Sequence, residues 1–127
     1  MKHLIIIGAG GMGRTMYDMA RESVGYGIEY DIQGFLDDNI AALDNFENYP
    51  PIIAPIQGYL PNENEIFICS IGGTARKKCI EEIISRGGQF LTMIHSTALV
   101  SLETLGMVTL LLRWVNTGRV TYTALKL

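Results

Sequence analysis

Six consecutive residues, Gly8-Ala9-Gly10-Gly11-Met12-Gly13, carry the clearest chemistry in the chain. Their spacing matches a phosphate-binding turn, in which a strand reverses into a helix around a diphosphate. Such a turn needs glycine where the bend is tightest, where backbone approaches ligand, and where helix packs on strand. Gly8, Gly10 and Gly13 fill those places, with Gly11 beside them. The following helix would aim its free N–H groups and the positive end of its dipole at the anion. A chain with 14 glycines in 127 residues produces such matches by accident, so a merely tight structural turn is the competing reading. The setting favours phosphate, because apolar Leu4 to Ile7 precedes the run and a helical pattern follows it.

Carboxylates come next, in Gly34-Phe35-Leu36-Asp37-Asp38-Asn39. At the carboxyl end of a second strand, Asp37 and Asp38 could accept hydrogen bonds from a ribose or a base. In dinucleotide folds an acidic residue about 20 positions past the glycines does this, and Asp37 lies 24 past Gly13. A solvated turn, where Asp and Asn are ordinary punctuation, explains the same residues. Gly72-Gly73-Thr74 is a second strand-to-helix turn, with Thr74 as N-cap and Arg76 within reach of an anion. It fits a second phosphate or sugar contact, and equally a turn with no ligand. Arg14, Lys77 and Lys78 read as a solvated face. His3 and His95 lack a carboxylate or metal partner nearby in sequence and read as structural. No Ser-His-Asp triad or zinc spacing can be assembled.

These groups need elements to hold them. Leu4 to Ile7 is an unbroken apolar run, as in a central parallel strand buried on both faces. Met12, Met16, Met19, Ala20 and Val24 mark one helix face, which Gly25 and Gly27 end. Ile28, Tyr30 and Ile32 alternate with polar residues, placing the strand over 28–36 near a sheet edge. Four prolines between 50 and 61 favour a loop-rich crossover over 40–64. Ile66 to Ile71 is a third strand. Ala75, Cys79, Ile80, Ile83 and Ile84 form the apolar face of a second helix, stopped by Gly87-Gly88, and Gln89 to Ile94 is a further strand. Strands alternating with helices predict a small Rossmann-like α/β fold: a parallel sheet with helices on both faces and the first strand between the second and third. Ligands of such sheets bind beyond the strand carboxyl ends where crossovers diverge, and both glycine turns would border that crevice.

Composition agrees with one domain, over 1–95, plus an extension over 96–127. Hydrophobic content of 48% and charged content of 18% describe a globular protein. A net charge of -3 without a basic stripe argues against nucleic acid. Cys69 and Cys79 show no metal or redox spacing and read as reduced core residues. The short apolar run at the start is far below a signal peptide's core or a membrane span, so the expectation is a cytoplasmic protein with no membrane partner.

GAGGMGR at 8–14, GFLDDN at 34–39, CSIGGTARKK at 69–78 and IHSTALVS at 94–101 together resemble the N-terminal domain of the sugar O-acyltransferases. These comprise the sialic acid O-acetyltransferase family and acetyltransferases acting on UDP-linked amino sugars. The resemblance implies a Rossmann-like domain that holds a nucleotide-sugar or sugar acceptor, followed by a left-handed β-helix of hexapeptide repeats. That second domain would form the homotrimer, bind acetyl-CoA and supply a histidine base. By position, Gly8, Gly10, Gly11 and Gly13 would lie along the acceptor's phosphates, Asp37 and Asp38 near its nucleoside or sugar, and Gly72 close by. Met12 departs from the histidine or aromatic residue of many relatives.

After Ser101 the pattern fails. A hexapeptide β-helix needs an aliphatic residue at every sixth position, and only Leu105 to Leu110 fits. No histidine follows His95, so the family's catalytic base and acetyl-CoA site are missing from this sequence. The tail is expected to be a truncated or frame-shifted remnant of the β-helix. Its apolar Leu110, Leu111, Leu112 and Trp114 could drive self-association. Three readings follow: the acceptor-binding module of an acetyltransferase, inactive alone; an NAD-dependent oxidoreductase, for which about 100 residues scarcely provide the second mononucleotide half; and a nucleotide-sensing Rossmann module.

Overall fold

The computed structural model describes residues 1–91 and 93. Leu4, Ile5, Ile6 and Ile7 are all fully buried, which a strand achieves only when both faces are covered. They form the centre of β1 (Lys2–Ile7). Side chains alternate across the strand. Leu4 and Ile6 join one core with Phe35, Ile68, Met16 and Ala20. Ile5 and Ile7 join the other with Leu36, Phe67, Cys69, Cys79 and Ile83. Met16 and Ala20 come from helix α1 (Gly11–Arg21), and Cys79 and Ile83 from helix α2 (Gly73–Ser85). The helices therefore cover opposite faces.

With β2 (Tyr30–Leu36), β3 (Ile52–Ala54) and β4 (Glu65–Cys69), β1 forms one parallel sheet in the order β3-β2-β1-β4. The first strand lies between the second and the strand starting at 65, as the sequence predicts. Sequence reasoning missed β3. It is only three residues long, placed between Pro51 and Pro55, where proline cannot interrupt its hydrogen bonds. Because β3 pairs with Phe35 and Leu36 only, β2 is covered at its carboxyl end, and the edge expected for it is limited to its first half. Gly34 permits this pairing: a Cβ there would lie 2.5 Å from the Pro51 carbonyl oxygen.

Other boundaries are corrected too. The first helix ends at Arg21 with Glu22 as C-cap, short of Val24 and the glycines. Ser23 Oγ donates back to the Met19 carbonyl at 2.6 Å, and Gly25 O accepts from three following N–H groups, which curls the chain out of the helix. Ile28, assigned to a strand, is exposed and precedes β2. In α2 the buried residues are Cys79 and Ile83, whereas Ala75 and Ile84 face solvent. The strand expected at Gln89 begins there as a parallel bridge of Phe90 to Phe67, with Phe67 N–H donating to Gln89 O at 2.9 Å. Ile94 and the tail from 96 to 127, including the β-helix remnant, lie outside the described residues. The segment between β2 and β3 packs Ala42, Leu43 and Tyr49 on the α1 side; that between β3 and β4 packs Ile56 and Tyr59 on the α2 side.

Candidate functional site

The carboxyl ends of β1 and β4 diverge into the two glycine turns, and one hydroxyl ties them together. Ser70 Oγ donates to the Ile7 carbonyl at 2.7 Å and to the Gly8 carbonyl at 3.0 Å. Sequence reasoning overlooked Ser70; the available signal was a polar residue ending a buried strand directly before a glycine pair. Gly8 takes φ +96°, a conformation that favours glycine, and its N–H donates to Leu36 O at 2.7 Å. Gly13 is demanded by packing, since a Cβ there would fall 1.8 Å from the Gly8 carbonyl oxygen. Gly10 is different. It sits at the N-cap of α1 with φ −74°, no side chain caps the helix, and a Cβ would meet nothing within 4 Å. Gly11, the first helical residue, is also exposed. Gly10, Gly11 and Met12 thus expose the start of the helix to solvent with no side chain capping it, while Gly13 is buried.

Asp37 braces the turn. Its Oδ2 accepts from Ala9 N–H and its Oδ1 from Asn39 N–H, both at 2.8 Å. Each oxygen retains one lone pair for a ligand donor. Asp38 Oδ1 accepts from Ile56 N–H at 2.9 Å and Gln57 N–H at 3.4 Å. Asp38 also lines a pocket of about 240 Å³ with Ile56, Gln57, Ile71, Lys78 and Cys79. This places Asp37 at the first glycine turn and Asp38 on the α2 side of the crevice, so the adjacent carboxylates serve different walls.

The second turn begins at Gly72, the N-cap of α2, again with no side-chain cap and no atom within 4 Å of a Cβ. Thr74 lies inside the helix and is not its N-cap. Arg76, expected near an anion, donates from Nη1 to the Cys69 carbonyl at 2.9 Å and so fastens the strand end. Arg14 is likewise half-buried rather than solvated: Nη1 donates to Ala9 O at 3.1 Å, and the guanidinium stacks 3.7 Å from the Phe46 ring centroid. Lys77 pairs with Glu81 on an exposed face. His3 does have a carboxylate partner, distant in sequence: Nδ1 lies 2.7 Å from Asp31 Oδ1, at the amino end of the sheet, away from the glycine turns. His95 lies outside the described residues.

Gly8, Gly10, Gly11, Gly13, Asp37 and Asp38 thus converge at the carboxyl ends of the strands, with Gly72 on the neighbouring turn. The crevice offers backbone donors and carboxylate acceptors. Among the described residues it contains no histidine, and no group of three or more possible metal ligands. These donors and acceptors are of the kind that hold and orient a polar molecule. No described helix is long and apolar enough to cross a membrane.

Sheet order, helix placement and the paired glycine turns define a small Rossmann-like α/β domain. The chain belongs to the PglD N-terminal domain family, whose sequence pattern matches residues 3–84. The resemblance to a sugar acetyltransferase's N-terminal domain is borne out over the motifs at 8–14, 34–39 and 69–78. A comparison with curated proteins finds no match.

Proposed function

We propose that this chain is the acceptor-binding domain of an acetyl-CoA-dependent sugar O- or N-acetyltransferase, holding a nucleotide-sugar or sugar for acyl transfer. One observation carries the reading. Gly8 and Gly13 are glycine for reasons internal to the fold, but Gly10 is not: its φ is ordinary and its surroundings are empty. Ser, Asp or Asn would cap α1 better than glycine. A ligand that must approach the backbone supplies the missing reason, and the same argument applies to Gly72.

On this reading the diphosphate lies against the first turn of α1, and the pocket beside Asp38 takes one ring, a base or a sugar. Acyl transfer to a hydroxyl or amine needs a base that removes the acceptor's proton. The crevice supplies positioning only, so acetyl-CoA and a catalytic histidine would come from a partner β-helix, in a cytoplasmic trimer. Positioning contributes many kcal/mol when that partner is present and nothing without it.

The test is calorimetric titration of the chain with UDP, a UDP-amino-sugar, CMP-sialic acid, NADH and acetyl-CoA. Binding of a nucleotide-sugar without NADH or acetyl-CoA is expected. Preference for NADH would replace this reading with the oxidoreductase or nucleotide-sensing alternative. Acetyl transfer by the isolated chain would refute the division of labour.

A further inference from the structure

A phosphate held at a glycine turn is bound more tightly where a fixed cation joins the backbone donors. Side chains on a helix lean toward its N-terminus, so Arg14, the fourth residue of α1, can reach back over the glycines. It does so: Nη1 donates to Ala9 O at 3.1 Å, and Nη2 would lie 3.8 Å from a Cβ placed on Gly11. Phe46 fixes the guanidinium, with its ring centroid 3.7 Å from Cζ. Phe46 is itself anchored. Its N–H donates to Leu43 O at 3.0 Å, and Leu43 and Tyr49 pack on the α1 side of the core. The Tyr49 ring in turn lies 5.5 Å from that of Tyr17 on α1.

A half-buried cation held in this way has given up water without gaining a counter-charge, which is costly. Among the described residues Arg14 forms no ion pair, and its side chain makes no hydrogen bond besides the one to Ala9. Arginine carries its N–H donors in a rigid planar fork, and most of that fork is without a partner there. Arg76 offers a contrast: it is likewise the fourth residue of its helix, but its Nη1 is engaged by two carbonyls, Cys69 at 2.9 Å and Ile71 at 3.4 Å. We propose that Arg14 is the residue that neutralises the ligand's phosphate charge in this crevice, and that Phe46 is a positioning residue that holds the guanidinium for it. This assignment deepens the nucleotide-sugar reading and rests on it. A guanidinium already stacked and tethered loses less freedom when the anion arrives than an unrestrained one. The crossover between β2 and β3, which the sequence marks only as loop-rich, then carries the platform for the cation.

The experiment is calorimetric titration of the full chain and its variants with UDP, in about 50 mM and about 500 mM sodium chloride. Arg14→Gln removes the charge but leaves an amide able to donate to Ala9 O. Its UDP affinity should fall at least about tenfold at the lower salt, with an unchanged urea midpoint. The gap from wild type should narrow at the higher salt, because a charge is screened and a misshapen site is not. Phe46→Leu should weaken UDP by about threefold, and should cost nothing further when added to Arg14→Gln, since the ring acts through the cation. Wild-type affinity in Arg14→Gln, or a loss equal at both salt concentrations, would overturn the assignment of Arg14. Full additivity of the two substitutions would overturn the positioning role of Phe46. Absence of UDP binding by the wild-type chain would refute the nucleotide-sugar reading itself, so the two failures are distinguishable.

Discussion

Replacing Gly13 by Ala should unfold the domain well before replacing Gly10 does, although both glycines belong to one motif. At Gly13 the new Cβ would lie 1.8 Å from the Gly8 carbonyl oxygen, 2.8 Å from the Gly8 carbonyl carbon and 3.2 Å from Ser70 Oγ. The obstacle is backbone on a buried strand end, which cannot swing away as a side chain could. Overpacking of this kind costs about 3 kcal/mol at the upper end of its usual range. Alanine's better helix propensity returns about 1 kcal/mol. The net loss of about 2 kcal/mol, with a urea slope of about 1 kcal/mol/M, lowers the unfolding midpoint by about 2 M. At Gly10 the Cβ enters empty space, and only the weaker N-cap is felt, about 0.5 kcal/mol or somewhat more. Gly10→Ala should therefore stay folded yet bind UDP at least about tenfold more weakly, because the methyl group occupies the ligand's approach. Urea titration by circular dichroism and calorimetry with UDP measure both effects. An unchanged midpoint for Gly13→Ala would refute the packing argument, and wild-type affinity in Gly10→Ala would remove the main support for a ligand at this turn.

Two further outcomes follow from side chains that hold the crevice and its supporting helix. Asp37→Ala should lose about 1–2 kcal/mol of stability, because Ala9 N–H and Asn39 N–H lose their acceptor, with Asp37→Asn intermediate; a urea midpoint equal to wild type would show that the brace is idle. Tyr30 OH donates to Ala20 O at 2.8 Å, and burial, the main cause, pushes the pKa of its hydroxyl up to about 12. Its unfolded value is about 10, so between these values the unfolded chain loses the proton while the folded chain keeps it, and stability falls as pH rises. About 2–3 kcal/mol should be lost by pH 12, and Tyr30→Phe should flatten that slope; an equal slope in both proteins would contradict it.

Sequence alone determined much of this domain. Four consecutive apolar residues before a glycine run imply a doubly covered parallel strand, and Leu4 to Ile7 form one. The glycine spacing located the first turn and the start of α1 to within a residue. Local chemistry suffices there, because strand burial and glycine geometry leave few alternatives. Elements that depend on distant partners were not legible. β3 exists because Phe35 N–H finds the Pro51 carbonyl at 2.9 Å, not because three residues between prolines favour a strand. Ser70, Arg14 and His3 met Gly8, Phe46 and Asp31 only when the chain folded, across 62, 32 (46 − 14) and 28 residues. The motif could not divide its own glycines either. Which of them the fold requires depends on what lies opposite: for Gly13 the Gly8 backbone, for Gly10 empty space. That difference is fixed by tertiary packing, since identical residues in one short run differ only in the atoms that folding brings against them.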